Sequence, residues 1–415
     1  VYIVKKEEDI MKKFNKVLSV VVASAMVMAM AGCGNTDNGS AATGTNAATE
    51  SAAADNGAAS GSVFKIGGIG PTTGGAAVYG LAVQHGAEIA VEEINAAGGI
   101  NGYQVEFKFQ DDEADAEKSV NAYNALKDWG AQVLDGSTTS GACIAVTDKT
   151  KEDNMFQITP SGSAVECVQY DNNFRVCFSN PNQGLASAQY IGENGLAEKI
   201  AVIYDSSDVY SSGIYEKFVK EAENQPFEVV AAEAFTADNK TDFSVQLQKA
   251  KDAGADMVFL PIYYQESALI LTQAAAMGYA PKWFSCDGMD GILGGVDNFD
   301  VSLTEGVMLL TPFAADATDD LTQSFVTKYK EKYGETPNQF AADSYDAIYV
   351  IKAAIEKSGV TPDMSVSDIC DGMKAAMTEI TVDGLTGNGM TWTADGEANK
   401  APKAVVIENG AYKAM

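Results

Sequence analysis

The chain contains a single histidine, His85, and a single arginine, Arg175. One histidine cannot build a His-rich metal site or a two-His acid/base pair, so the common routes to catalysis through His are nearly closed. Basic residues are scarce: 28 Lys+Arg stand against 57 Asp+Glu, a net charge of −29. A chain this acidic repels phosphate backbones, which argues against nucleic acid as a partner. No G-x-S-x-G nucleophile elbow and no C-x-x-C occurs. Asp287-Gly288-Met289-Asp290 lacks the spacing and the closing Glu of a calcium loop. No metal and no cofactor is therefore expected. Apart from Cys33, five cysteines remain (143, 167, 177, 286 and 370), an odd number that excludes a fully paired disulfide framework. Cys167 and Cys177 flank the turn-like Asp171-Asn172-Asn173, so they either pair or remain buried thiols.

What is present is ample apolar residue and a patterned body. The chain has 415 residues, 46% of them hydrophobic and 20% charged. That is enough for a large core and predicts two or three lobes. Met11 to Lys16 forms a basic segment, and the uncharged run 17–31 ends in Ala29-Met30-Ala31-Gly32-Cys33. The run is shorter than the roughly 20 apolar residues of a spanning helix and has small residues at its end, as in a secretory signal. The small residues before Cys33 also resemble a bacterial lipobox, which would make Cys33 the lipid-modified first residue of the mature chain. Acidic Glu7, Glu8 and Asp9 precede the basic segment, so residues 1–10 read as an upstream extension, with Met11 as the start. Residues 34–62 use only Gly, Asn, Thr, Asp, Ser, Ala and Glu, and form a tether with a reach of about 30 Å.

From residue 63 onward, short apolar runs alternate with helical patterns. Strands are predicted at 63–70, 104–110, 131–134, 155–159, 174–178, 199–204, 256–262, 282–286 and 305–310. Val83, Ala87, Ala90, Val91 and Ile94 share one helix face, and Gly98-Gly99 ends that helix. Further helices are predicted near 117–128, 212–223, 241–253, 265–277, 319–333, 339–357 and 367–378. Repeated β–α units predict parallel sheets, and about ten strands divide better between two sheets than within one.

Ligands of such sheets bind at the carboxyl ends of the strands. The residues there are rich in hydroxyls and rings. Ser140 and Ser163 each precede a possible helix start, where free amides favour a carboxylate; plain N-capping is the alternative. Asp287 suits an ammonium, or is a solvated loop acid. Tyr79, Tyr210 and Tyr263 either wall a pocket or serve ordinary packing. Taken together, these groups suit a zwitterion. The stretch 67–74 has Gly spacing after a strand, but Pro71 removes an amide that a dinucleotide loop needs, and the next acids, Asp111 and Asp112, lie about 40 residues on. His85 reads as a helix-surface or satisfied histidine.

Several stretches carry a resemblance. The most specific is Gly86-Ala87-Glu88-Ile89-Ala90-Val91-Glu92-Glu93-Ile94-Asn95-Ala96-Ala97-Gly98-Gly99-Ile100-Asn101-Gly102, followed by Asp111-Asp112. Ile158-Thr159-Pro160-Ser161, Ala253-Gly254-Ala255-Asp256 and Tyr345-Asp346-Ala347 accompany it. The chain resembles the leucine/isoleucine/valine-binding proteins, the substrate-binding lipoproteins of ABC importers, over essentially all of 63–415. The resemblance implies an α/β, two-lobed type I periplasmic-binding-protein fold, each lobe a mostly parallel sheet flanked by helices, with three hinge crossings near 180–184, 311–315 and 381–390. It implies four segments: residues 1–32 as extension and signal, 33–62 as lipidated Cys33 and tether, 63–182 plus 313–383 as lobe 1, and 183–312 plus 384–415 as lobe 2. It also implies roles for individual residues. Ser140 matches the carboxylate-binding serine, Ser161 a backbone ligand contact, and Ser163 a hydroxyl contacting backbone and ligand. Tyr79 matches a wall ring of lobe 1, Tyr210 and Tyr263 rings of lobe 2, and Asp287 the amine-binding acid. The match is looser at Asp287, where a family member carries Glu in a loop of slightly different length; the shorter acid bears on which ligand is bound. The disulfide of some members has no counterpart, because no Cys lies near Asp111.

The expected function is a monomeric, extracytoplasmic receptor, lipid-anchored to the outer face of a bacterial cytoplasmic membrane. It would close on a branched-chain or related amino acid and present it to ABC permease subunits. The same fold binding an amide, urea or a small aromatic acid, or serving as a sensor domain, is the alternative. A secreted hydrolase is disfavoured because no nucleophile–base pair is visible.

Overall fold

A computed structural model describes residues 61–415. Cys33, the basic and apolar leader and the spacer through residue 60 lie outside the described residues. Lobe 1 begins with strand β1 (Phe64–Gly70), helix α1 (Ala77–Ala96), β2 (Val105–Asp111), α2 (Ala116–Trp129), β3 (Val133–Asp135), α3 (Ser140–Asp153), β4 (Phe156–Thr159) and β5 (Asn173–Arg175). Lobe 2 follows with α4 (Asn180–Glu193), β6 (Lys199–Asp205), α5 (Val209–Ala222), β7 (Glu228–Phe235), α6 (Ser244–Asp252), β8 (Met257–Leu260), α7 (Tyr264–Ala276), β9 (Lys282–Ser285) and β10 (Met308–Thr311). The chain returns to lobe 1 for α8 (Asp320–Tyr333), α9 (Gln339–Ser358) and α10 (Val366–Met377), and ends in lobe 2 with β11 (Lys403–Glu408) and β12 (Ala411–Ala414).

Each lobe is a sheet with helices on both faces. The lobe 1 sheet has the order β2-β1-β3-β4-β5, all parallel. The lobe 2 sheet has the order β12-β11-β10-β9-β8-β6-β7, with β11 and β12 antiparallel. Buried on both faces, strands such as Met257–Leu260 are solvent-free along their whole length. That is why they read as continuous apolar runs rather than alternating ones. In lobe 1, Ile69 and Leu134 pack on Tyr123, Leu126 and Val146 of α2 and α3, while Ile66, Val133 and Ile158 face the layer that includes α1 and α9. Each large side chain buried this way contributes about 1.5–3 kcal/mol. Helices α1 and α9 meet at Gly86, where a Cβ would lie 2.0 Å from the Ala341 carbonyl oxygen, so only glycine permits the crossing. Gly70 answers the dinucleotide-loop question in the same way: a Cβ there would lie 2.1 Å from the Thr138 hydroxyl, so the glycine serves strand-to-loop packing.

Three details differ from the sequence reading. The segment 180–184, expected as a crossing, is the first turn of α4, opened by Pro181 and packed on lobe 2 through Ala188 and Ile191. The crossing lies just before it, at 176–179. Residues 384–400, expected in lobe 2, lie along lobe 1. The amides of Leu385 and Thr386 donate to the Asp346 carboxylate on α9, Trp392 Nε1 donates to the Arg175 carbonyl, and Arg175 N donates to the Gly396 carbonyl. The chain therefore crosses at 401–402. Strands β7, β11 and β12 and helix α4 were not among the predicted elements, and α3 was anticipated only as a possible helix start after Ser140. All five cysteines of the described residues are buried free thiols, so Cys167 and Cys177 do not pair. His85 is half-buried, stacked on Tyr333 at 3.7 Å with Nδ1 3.2 Å from the Tyr329 hydroxyl, and burial lowers its pKa.

Candidate functional site

The carboxyl ends of the strands of both sheets face one interlobe cleft. The turn after β3 and the turn after β4 are tied by one hydroxyl. Ser140 Oγ accepts from the amides of Ser163 and Ala164, each at 3.1 Å, and stands 3.5 Å from Ser163 Oγ. Ser140 is the first residue of α3, with Thr139 at the N-cap position making no side-chain cap. The serine thus joins two loops rather than capping its own helix, and the first amides of α3 keep no partner within the helix. Ser163 precedes only a short 3-10 turn, Val165–Val168. Ser161 donates its hydroxyl to the Thr138 carbonyl at 2.6 Å, bracing the same loop. The Thr139 hydroxyl is buried without a partner among the described residues.

Lobe 2 contributes an acid and rings. Asp287 follows β9 and is 5% exposed. Its Oδ1 accepts from the Tyr210 hydroxyl at 2.6 Å and its Oδ2 from Gln183 Nε2 at 2.8 Å. Among the described residues, no Lys or Arg lies within ion-pair distance of it. Burial, reinforced by the charge of Asp343, pushes the Asp287 pKa up to about 7 against the lowering by its two donors. A buried carboxylate without a counter-charge favours a cationic group as its neighbour.

Aromatic rings close the space between the lobes. Tyr210 stacks on Tyr263 at 5.0 Å, Tyr79 meets Tyr263 edge-on at 5.5 Å, and Phe340 lies 4.3 Å from Tyr79. The Tyr79 hydroxyl donates to the Gly288 carbonyl and accepts from the Tyr264 amide at 3.2 Å, so it bridges from lobe 1 to lobe 2. Gln339 Nε2 donates to the Asp287 carbonyl at 2.9 Å, a second interlobe bond. The lobes are drawn together so closely that the cavity they enclose is about 10 Å³, room for one water.

Six of the seven residues singled out from the sequence line this cavity: Tyr79, Ser140, Ser161, Tyr210, Tyr263 and Asp287. Ser163 stands behind Ser140, fully buried. Sequence reasoning missed Thr138, Thr139, Gly288 and Phe340, which also line it, and Gln183, which holds Asp287. Thr138 and Thr139 sit in the hydroxyl-rich turn between β3 and α3. Gln183 carried no signal, because its helix was not expected.

The periplasmic binding protein family matches residues 63–411. The Leu/Ile/Val-binding protein homolog 3 of Brucella melitensis is 31% identical over 300 residues, 72% of this chain and 80% of that protein. The leucine-, isoleucine-, valine-, threonine- and alanine-binding protein of Pseudomonas aeruginosa is 30% identical over 303 residues, 71% of this chain and 79% of that protein. Among solved structures, the branched-chain amino acid transporter substrate-binding protein LivJ of Streptococcus pneumoniae, in complex with isoleucine, has a TM-score of 0.76 at 28% identity, covering 85% of this chain and 98% of that one. A solute-binding protein of R. palustris in complex with benzoate shares the fold, with a TM-score of 0.74 at 20% identity, covering 85% and 95%. The chain belongs to the periplasmic binding protein family, in the group named for the leucine/isoleucine/valine-binding proteins.

Proposed function

We propose that the protein is the receptor of an ABC importer for a branched-chain or related aliphatic amino acid, bound between the lobes. The observation that carries this reading is the pairing across one cleft of opposite tools. Hydroxyls and free helix-end amides gather at Ser140, Ser161 and Ser163, and the uncompensated carboxylate of Asp287 faces them from the other lobe. The first suit a carboxylate and the second an ammonium, with Tyr79, Tyr210 and Tyr263 around the side chain. A ligand enters by parting the lobes and takes the place of direct ring contacts and of the Tyr79–Gly288 bond. Because it touches both halves, it shifts the population toward the closed form, which a permease distinguishes from the open one. Cys33 is the proposed lipid anchor, the folded body lies outside the cytoplasmic membrane as a monomer, and the protein binds without turnover.

Calorimetric titration with leucine, isoleucine, valine, alanine, threonine, urea and benzoate tests the reading. At least one aliphatic amino acid binds, with a micromolar Kd worth about −8 kcal/mol suiting a scavenger. At a hundred times Kd it adds about 2.7 kcal/mol to stability. The Ser163→Ala, Asp287→Ala double variant loses binding by about a hundredfold or more while still unfolding in one transition. Binding of benzoate or urea with none of any amino acid refutes the proposal, and so does unchanged affinity in the double variant.

A further inference from the structure

A second and much larger cavity spans the two lobes and shares no lining residue with the first. Its volume is about 480 Å³, within the range of small-molecule sites. Lobe 1 supplies Val78, Leu81 and Ala82 of α1, and lobe 2 supplies Leu293 and Asp290 beside Tyr412. Asp290 is 4% exposed. Its Oδ2 accepts from the Gln339 backbone amide at 2.9 Å, but its Oδ1 is buried with no hydrogen-bond partner among the described residues. The hydroxyl of Tyr412, which takes a weak bond from the Gly291 amide at 3.4 Å, is near enough to lower the Asp290 pKa as a donor but makes no regular hydrogen bond to Oδ1. The charged side chains around the rim are Lys330, Lys413, Asp316 and Glu335, two of each sign. Lys413 and Asp316 pair at 3.6 Å, and Glu335 faces His85 at 3.8 Å. The rim is therefore balanced, and the charge left over in the cavity is that of Asp290. A buried carboxylate oxygen without a donor carries a desolvation cost that an occupant with an N–H would remove.

We propose that this cavity is a second ligand site, taking a small organic monoammonium ion whose nitrogen meets Asp290 Oδ1 and whose compact apolar body lies between Val78, Leu81, Ala82 and Leu293. Burial pushes the Asp290 pKa up to about 6, so near neutral pH the carboxylate is ionised and a cation is its natural partner. Since the walls come from both lobes, an occupant favours the closed arrangement. By linkage it then raises the affinity of the main cleft, and the cleft ligand raises its own.

Cyclohexylammonium chloride is the probe, titrated calorimetrically into the purified protein at pH 7.5, with cyclohexanol as its neutral counterpart. The amine binds with one-to-one stoichiometry, and cyclohexanol binds about tenfold more weakly or worse. Asp290→Asn weakens the amine about tenfold or more. Leu293→Trp, which fills the space without touching the acid, abolishes the heat. Asp287→Asn, made to test whether the amine lodges in the other cavity instead, still binds it. Absence of heat with wild type, equal binding of amine and alcohol, or loss of the amine in Asp287→Asn instead of in Asp290→Asn or Leu293→Trp each overturns the proposal. Because the amine lacks a carboxylate and is read against Asp290, its failure leaves the amino-acid reading standing, and failure of every amino acid to bind leaves this site standing. Melting curves of both cavity variants, read by circular dichroism, separate lost binding from lost folding.

Discussion

At the scale of single residues, Asp287 couples ligand to proton. Its pKa of about 7 lies well above the ordinary value of 3.8, with burial the first cause. An ammonium placed against it stabilises the ionised form and draws the pKa down. Binding at a pH below 7 therefore releases a proton, and affinity climbs as pH rises toward 7.5, while a free amino acid keeps both its charges throughout. The expected gain between pH 5 and 7.5 is about tenfold or more. Titrations at pH 6 in two buffers of different ionisation enthalpy detect the released proton, and Asp287→Asn flattens the profile. An affinity that is level across this range removes Asp287 from the amine-binding role. Six of the seven residues picked from the sequence line one cavity because each follows a strand, and parallel sheets place all their strand ends on one side. Gln183 was illegible: nothing in its neighbours announces that its amide will reach Asp287 across 104 positions of sequence.

At the scale of elements, the last connection of lobe 1 hangs on charges. Lys400 Nζ lies 2.8 Å from Asp343 on α9, both nearly inaccessible, and also donates to the Thr386 hydroxyl. Lys400→Met leaves Asp343 buried and uncompensated, which costs about 3–5 kcal/mol in urea unfolding at pH 7.5. The loss shrinks at pH 5, because burial already raises the Asp343 pKa to about 6 and the lost ammonium lets it rise further, so the acid takes a proton. A change under about 1 kcal/mol at both pH values contradicts the assignment. The elements the sequence hid had physical reasons to hide. Helix α4 buries Gly184, Ser187, Ala188 and Gly192, residues too small to mark an apolar stripe. Strand β7, Glu228–Phe235, is an edge strand rich in Ala and Glu, poor strand formers. The β11–β12 hairpin did carry a signal: Asn409-Gly410, both at positive φ, is the dipeptide favoured in tight hairpin turns.

For the whole molecule, acidity is built into the interior as well as the surface. Asp112, Asp135, Asp208, Asp287, Asp290 and Asp343 all have pKa values raised by burial, to about 6 or about 7. Each holds a proton in the folded protein over a range where the unfolded chain has released it, so stability falls as pH rises through that range. Self-repulsion at a net charge of −29 acts in the same direction. Other acids are shifted down: Asp111 through the Thr72 and Thr73 donors, and Asp171 through Lys151 and Lys374, each outweighing burial. These lose their contribution only as pH drops through their lowered values. The melting midpoint of the ligand-free protein is therefore highest near pH 5 and declines toward pH 8, measured by calorimetry at constant ionic strength. A midpoint that rises steadily from pH 5 to 8 contradicts this balance.

Local residue order alone specified the class of fold, two parallel α/β lobes, because most strands buried on both faces are largely apolar and most helices covering them carry an apolar stripe. It also determined which strand ends are rich in hydroxyls, rings and acid, since those are fixed by local order. Long-range packing set the rest: Ser140 joins two loops instead of capping its helix, Asp287 has no cation beside it among the described residues, and 384–400 stay with lobe 1. These outcomes depend on contacts between residues far apart in the chain, where burial and competing partners, not local spacing, set which hydrogen bond or charge pair forms.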